Sequence, residues 1–137
     1  MRLSAELLCL DPKQNETFWP FVEPLLRPAI ENVGLNDFDE FAAGVRRGDT
    51  LLWLVVDAGK LKAAVTTVLQ KIGPDKICVL TACGGNGMNE WLTLLQKIEA
   101  FAQAEGCKSM RIFGRAGWER ALDGYRKTAI VIEKGLA

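Results

Sequence analysis

Apolar and polar positions change their spacing several times along the chain, and each change marks an element. Residues 3–10, L-S-A-E-L-L-C-L, suit a first strand ended by Asp11-Pro12. Phe18, Phe21, Leu25, Ala29 and Val33 then recur at helical spacing, interrupted every fourth residue by Pro20, Pro24 and Pro28. Each interior proline removes a helix hydrogen bond, so the stretch predicts a kinked helix or two short pieces, closed by Gly34. Asp37 ahead of Phe38, Phe41, Ala42 and Val45, with Glu40 three residues on, predicts a capped second helix stopped by Gly48. L-L-W-L-V-V-D, a tight Ala58-Gly59 connection and K-L-K-A-A-V-T-T-V-L-Q-K-I predict a hairpin. Ile72 to Lys76 supplies a second turn, and three consecutive antiparallel strands follow.

The third of these strands reaches Cys83 and breaks at Gly84, Gly85 and Gly87, after which Trp91, Leu95, Ile98 and Ala102 return to helical spacing. Strand, glycine loop and helix in succession let backbone approach a ligand closely and point unpaired N–H groups of the first helical turn at it. Such a junction suits phosphate. The loop holds no Lys or Arg and lacks the G-K-[ST] ending of a P-loop, so backbone would carry the contact; the glycines also suit a simple tight connection. Beyond Gly106, Cys107 to Phe113 reads as a strand, Gly117 to Gly124 as a short helix and Lys127 to Glu133 as a last strand. Residues 1–137 thus predict a single mixed α/β (α+β) domain.

Composition narrows the chemistry. Seventeen basic and seventeen acidic residues leave no net charge, which predicts neither nucleic acid nor an anionic membrane as partner. No apolar run suits a signal peptide or a membrane span, so a cytoplasmic protein is expected. Four cysteines, at 9, 78, 83 and 107, have no C-x-x-C spacing and read as buried reduced thiols. The chain contains no histidine, which removes Ser-His and Cys-His couples and histidine-held metal; no metal cluster is visible. Acid–base work falls to carboxylates, the single Tyr, Cys, Lys, backbone or water.

The element order resembles that of the GNAT superfamily of acyl-CoA-dependent N-acyltransferases along nearly the whole chain. That resemblance implies a mostly antiparallel sheet with its fourth and fifth strands splayed apart and helices on both faces. In that superfamily the fourth strand leads into a pyrophosphate loop of pattern [RQ]-x-x-G-x-[GA]. Ala82-Cys83-Gly84-Gly85-Asn86-Gly87 matches its glycines, with Ala82 where Arg or Gln stands. The resemblance implies acetyl-CoA or a related acyl-CoA held by Thr81, Ala82, Cys83, Gly84, Gly85, Asn86, Gly87 and Met88. The pantetheine arm would pair with backbone of Thr81 to Cys83.

Catalytic residues carry over less directly. Members place a Tyr after the fifth strand to protonate the departing thiolate, and a Glu on the fourth strand as base. Tyr125 is the tyrosine available, against the alternative of a ring packed between layers. The central strand has no carboxylate at the matching place. Cys83 as an acyl acceptor lacks a neighbour in sequence to depress its pKa.

Arg111 and Arg115 are candidates for the acceptor side, with Trp118 as stacking face or core. Trp53 and Trp91 read as core, and Trp19, among prolines, as exposed. Asp37, Asp39 and Glu40 suit capping as well as acceptor recognition. The reaction implied is acyl transfer to a small-molecule or protein amine, and pairing of C-terminal strands would give a homodimer. The block Gly114-Arg115-Ala116-Gly117-Trp118 also resembles small GNAT-like proteins of tailed phages and prophages. That implies the alternative of a non-catalytic virion or host-interaction protein.

Overall fold

The computed structural model describes residues 5–33, 37–85, 94–113 and 122–136. Its elements are β1 (Glu6–Cys9), a 3-10 turn (Pro12–Gln14), α1 (Asn15–Val33), α2 (Phe38–Arg47), β2 (Leu51–Asp57), β3 (Lys60–Ile72), β4 (Asp75–Gly85), α3 (Leu95–Ala104) and β5 (Ser109–Ile112). The strands form one sheet in chain order, antiparallel from β1 to β4 and parallel between β4 and β5. A parallel neighbour needs a crossover, and α3 lies within it.

Helices cover both faces. On one, Trp19, Val22, Leu26 and Ile30 of α1 and Phe38, Ala42 and Val45 of α2 pack over Leu52, Leu54, Ala64 and Ala82. On the other, Leu95, Ile98 and Ala102 of α3 pack over Trp53, Val65, Cys78, Leu80 and Cys83. The mixed fold with a mostly antiparallel sheet is as expected. Trp53 is core, and its Nε1 donates to Thr67 Oγ1 at 2.9 Å.

Two local readings need correction, and a third settles between its alternatives. α1 is one helix through all three prolines, which the two-piece alternative did not allow. Spacing of four puts Pro20, Pro24 and Pro28 on one exposed face, where water can solvate carbonyls that lose a donor. The opposite face keeps every anchor. Trp19 belongs to that face and is buried, its ring 6.0 Å from that of Phe38. Residues 125–136 form no strand: Lys127 to Glu133 is exposed along its length, with Ile132 87% accessible. β-branched sequence supplies strand propensity, but a strand exists only where an edge pairs with it.

Local signals fared better at α2. Asp37 caps it by accepting from Glu40 N at 3.2 Å, and Gly48 ends it in the left-handed conformation at φ 87°. Gly34 and Trp91 lie outside the described residues.

Cys78 is fully buried, Cys107 half-buried and Cys9 exposed, the last against the expectation of buried thiols. Burial pushes the Cys78 thiol up to about 11. A raised pKa favours the protonated folded state, so this stability is complete below the unfolded thiol's pKa near 9 and is lost as pH rises through 11. Urea unfolding should show about 2 kcal/mol less stability at pH 11 than at pH 8 from this group. Cys78→Ala should flatten that decline, and an unchanged slope would contradict it.

Among the described residues, no helix is long and apolar enough to cross a membrane.

Candidate functional site

Among the described residues, part of β4 has a strand neighbour on one side alone. β4 pairs with β5 only from Ile77↔Ser109 to Leu80↔Ile112, whereas it continues beside β3 to Ala63↔Gly85. Thr81 to Gly85 therefore have a strand on one side and, among the described residues, none on the other. The opening begins at a bulge. Thr66 pairs with Ala82 and Thr67 with Leu80, leaving Thr81 as the extra residue on β4. A bulge bends its strand and strengthens the local twist.

α3 runs back along β4. Lys76 Nζ, near the start of β4, donates to Glu105 O at 2.8 Å just beyond the end of α3, while Leu95 packs in the same cluster as Cys83. The first turn of α3 therefore lies toward the glycine end of β4. Asn86, Gly87 and Met88 lie outside the described residues, as do Arg115 and Trp118.

The two described glycines have a role that sequence spacing did not reveal. Both lie within β4 rather than in a loop, so the strand runs past Cys83. A Cβ on Gly84 would overlap the Leu25 carbonyl of α1, and one on Gly85, at φ 145°, would overlap Lys62 O and Ala63 of β3. They permit close approach of protein to protein.

The remaining candidates are placed as follows. Thr81 is half-buried and its hydroxyl meets that of Thr66 at 2.7 Å. Ala82 is buried beneath α1 and α2. Cys83 is buried on the α3 face. Arg111 is exposed on β5, between Met110 and Ile112, which pack against the α3-side core.

Tyr125 is half-buried against that core and donates to Glu99 Oε2 of α3 at 2.6 Å, a partner absent from the sequence reading. Burial, then the Glu99 hydrogen bond, holds its phenol well above the ordinary tyrosine value. A phenol so held is a reluctant acid. Among the described residues no group of three or more His, Cys, Asp or Glu is placed to hold a metal.

No family model and no curated protein matches this sequence. Solved structures do match in three dimensions. An aminoglycoside acetyltransferase from an uncultured soil metagenomic sample, solved with sisomicin, superposes with TM-score 0.70 at 7% identity, over 97% of each chain. The chain has the GNAT fold. A GNAT family acetyltransferase from Staphylococcus aureus matches with TM-score 0.63 at 12% identity, over 98% of this chain and 100% of that one. An aminoglycoside N-acetyltransferase solved with CoA matches with TM-score 0.64 at 8% identity, over 97% and 95%.

Proposed function

We propose that the chain binds an acyl-CoA along the open edge of β4 and transfers its acyl group, acetyl or a close relative, to an amine. The observation that carries this is the fork: a strand that outruns its neighbour by Thr81 to Gly85, from a bulge onward, in a GNAT fold. The backbone there fits an extended polar arm, which can pair with β4 as another strand would. The replacement of Arg or Gln by Ala82 leaves the pyrophosphate to backbone of residues 84–88. The acyl-CoA supplies an activated acyl group.

The chain's own part is to hold the arm, to offer β4 N–H groups to the thioester oxygen and to bring an amine alongside. Arg111 and Arg115 are the proposed charges on the acceptor side. The amine's proton leaves to water.

Tyr125 is the candidate donor to the departing thiolate, but its hydrogen already serves Glu99. Tyr125→Phe should therefore slow transfer no more than about threefold while lowering stability by about 1 kcal/mol. A general acid would show a loss of about a hundredfold or more.

Isothermal titration with CoA and acetyl-CoA tests the central reading. Dissociation constants of micromolar order are expected, equivalent to about −8 kcal/mol. Gly87→Val should weaken binding at least about tenfold with far-UV circular dichroism unchanged. Absence of binding at millimolar ligand would overturn the transferase reading and favour the non-catalytic phage or host-interaction role.

A further inference from the structure

We infer that residues 127–133 form an arm that adds as a strand to the free edge of β5 in a second copy of this chain, giving a closed dimer by reciprocal exchange. Two unmet surfaces carry this. Ile130, Val131 and Ile132 stand in succession at 68%, 65% and 87% accessible, in a run of strand composition that no edge of its own chain receives among the described residues. β5 ends the sheet order, with β4 on one side and, among the described residues, no strand on the other. An open edge is a template for a further strand.

Arm and edge match face by face. Met110 and Ile112 of β5 pack against the α3-side core, while Arg111 between them is exposed. Side chains alternate along a strand, so in the arm Ile130 falls with Ile132 and Val131 with Glu133. With the isoleucines beside Met110 and Ile112, the arm carries the α3-side core one strand further and brings its one carboxylate, Glu133, to the face of Arg111. A slip by one residue would set both isoleucines on the Arg111 face and Glu133 against the apolar row. The pattern thus fixes the face.

The root of the arm decides which edge receives it. Tyr125 is held by Glu99 of α3 and feels the charge of Cys78, which pairs with Met110 of β5. The arm therefore leaves the body at the β4–β5 end of the sheet, and β1 lies at the opposite end. Exchange at β5 is reciprocal, because each copy gives an arm and receives one next to where its own departs, and a two-fold axis closes the pair. Reception at β1 would be a head-to-tail contact with no two-fold to close it. The two arms paired with each other alone would make a two-stranded ribbon, marginal in water, whereas β5 belongs to a formed sheet. Two exchanged arms and the edges they cover bury on the order of 2,000 Å², the scale of a stable dimer.

The test is sedimentation equilibrium of the full-length chain and of its Ile130→Asp/Ile132→Asp variant, with NMR on a mixed-label sample of the wild type. The wild type should weigh twice 15.1 kDa, with half-dissociation at or below about 10 μM. The variant should dimerise at least about a hundredfold more weakly and still melt cooperatively, since both side chains are exposed in the single chain. In dimers of one deuterated, 15N-labelled copy and one unlabelled copy, methyl groups of Ile130 and Ile132 should give cross-peaks to β5 amides of the other copy. A wild type that stays at 15.1 kDa at about 100 μM, or a variant that dimerises as the wild type does, would overturn the inference. So would contacts of the arm with β5 of its own chain, or contacts between the two arms without β5.

Discussion

Gly84→Val should destabilise the protein by at least about 3 kcal/mol and lower its melting temperature by about 10 °C or more. The reason is the approach of α1 to β4, because a Cβ at Gly84 would overlap the Leu25 carbonyl oxygen and lie 2.9 Å from its carbon. Side chains relieve overpacking by changing rotamer, but a helix carbonyl has no such freedom. The helix itself would have to lift. Trp19, Val22, Leu26 and Ile30 all anchor α1 to the same core, so lifting it exposes apolar area at about 25 cal/mol per Å². Gly135→Ala is the control, since its added Cβ meets nothing within 4 Å and should change stability by less than about 0.5 kcal/mol. A Gly84→Val protein melting within a degree or two of wild type would contradict this packing.

The second large effect belongs to Asn15. It is fully buried, and its Nδ2 donates to Val45 O and Thr50 O, both at 2.9 Å, tying the start of α1 to the end of α2 and the approach to β2. Its Oδ1 has no partner among the described groups. Asn15→Asp would replace both donors with a carboxylate facing two carbonyl oxygens out of water. The expected loss at pH 7.5 is about 3–5 kcal/mol.

The sign of its pH dependence follows. Burial and the facing carbonyls raise the folded pKa of the introduced acid above its unfolded value near 4, so the protonated form is the one that folding favours. The deficit against wild type should therefore shrink as pH falls from 7.5 to 5, by about 1–3 kcal/mol in urea unfolding, since the protonated acid restores one donor. A deficit that is absent, or that grows on acidification, would contradict the geometry.

Most of the architecture was legible where the signal was local. The hairpin of β2 and β3, the Asp37 cap, Gly48 and the turn before β4 each rest on residues within a few positions of one another. What escaped depends on contacts between distant segments. Three prolines break a helix in isolation, yet here they share the exposed face of a helix whose opposite face is anchored in the core. The run Thr128 to Glu133 has strand composition, but no edge of this chain pairs with it in the described structure.

The site was legible in outline only. The glycine-rich end of β4 marked the candidate place, and Thr81 to Gly85 lie beyond the described pairing with β5. Spacing could not show that Gly84 and Gly85 are required by Leu25 and Ala63, because the clashing atoms come from α1 and β3. Nor could it show the bulge that isolates Thr81, or the Glu99 that holds Tyr125. The Thr66-Thr67 pair within the apolar run of β3 was the available hint of polar work on that strand.

Amide-resolved hydrogen exchange of the labelled protein, with and without saturating CoA, tests the use of the open β4 edge most directly. The account predicts slowed exchange at those amides of Thr81 to Gly85 that do not bond β3, with Ile77 to Leu80, already paired on both sides, unchanged. Protection elsewhere, with residues 81–85 exchanging as in the ligand-free protein, would contradict it.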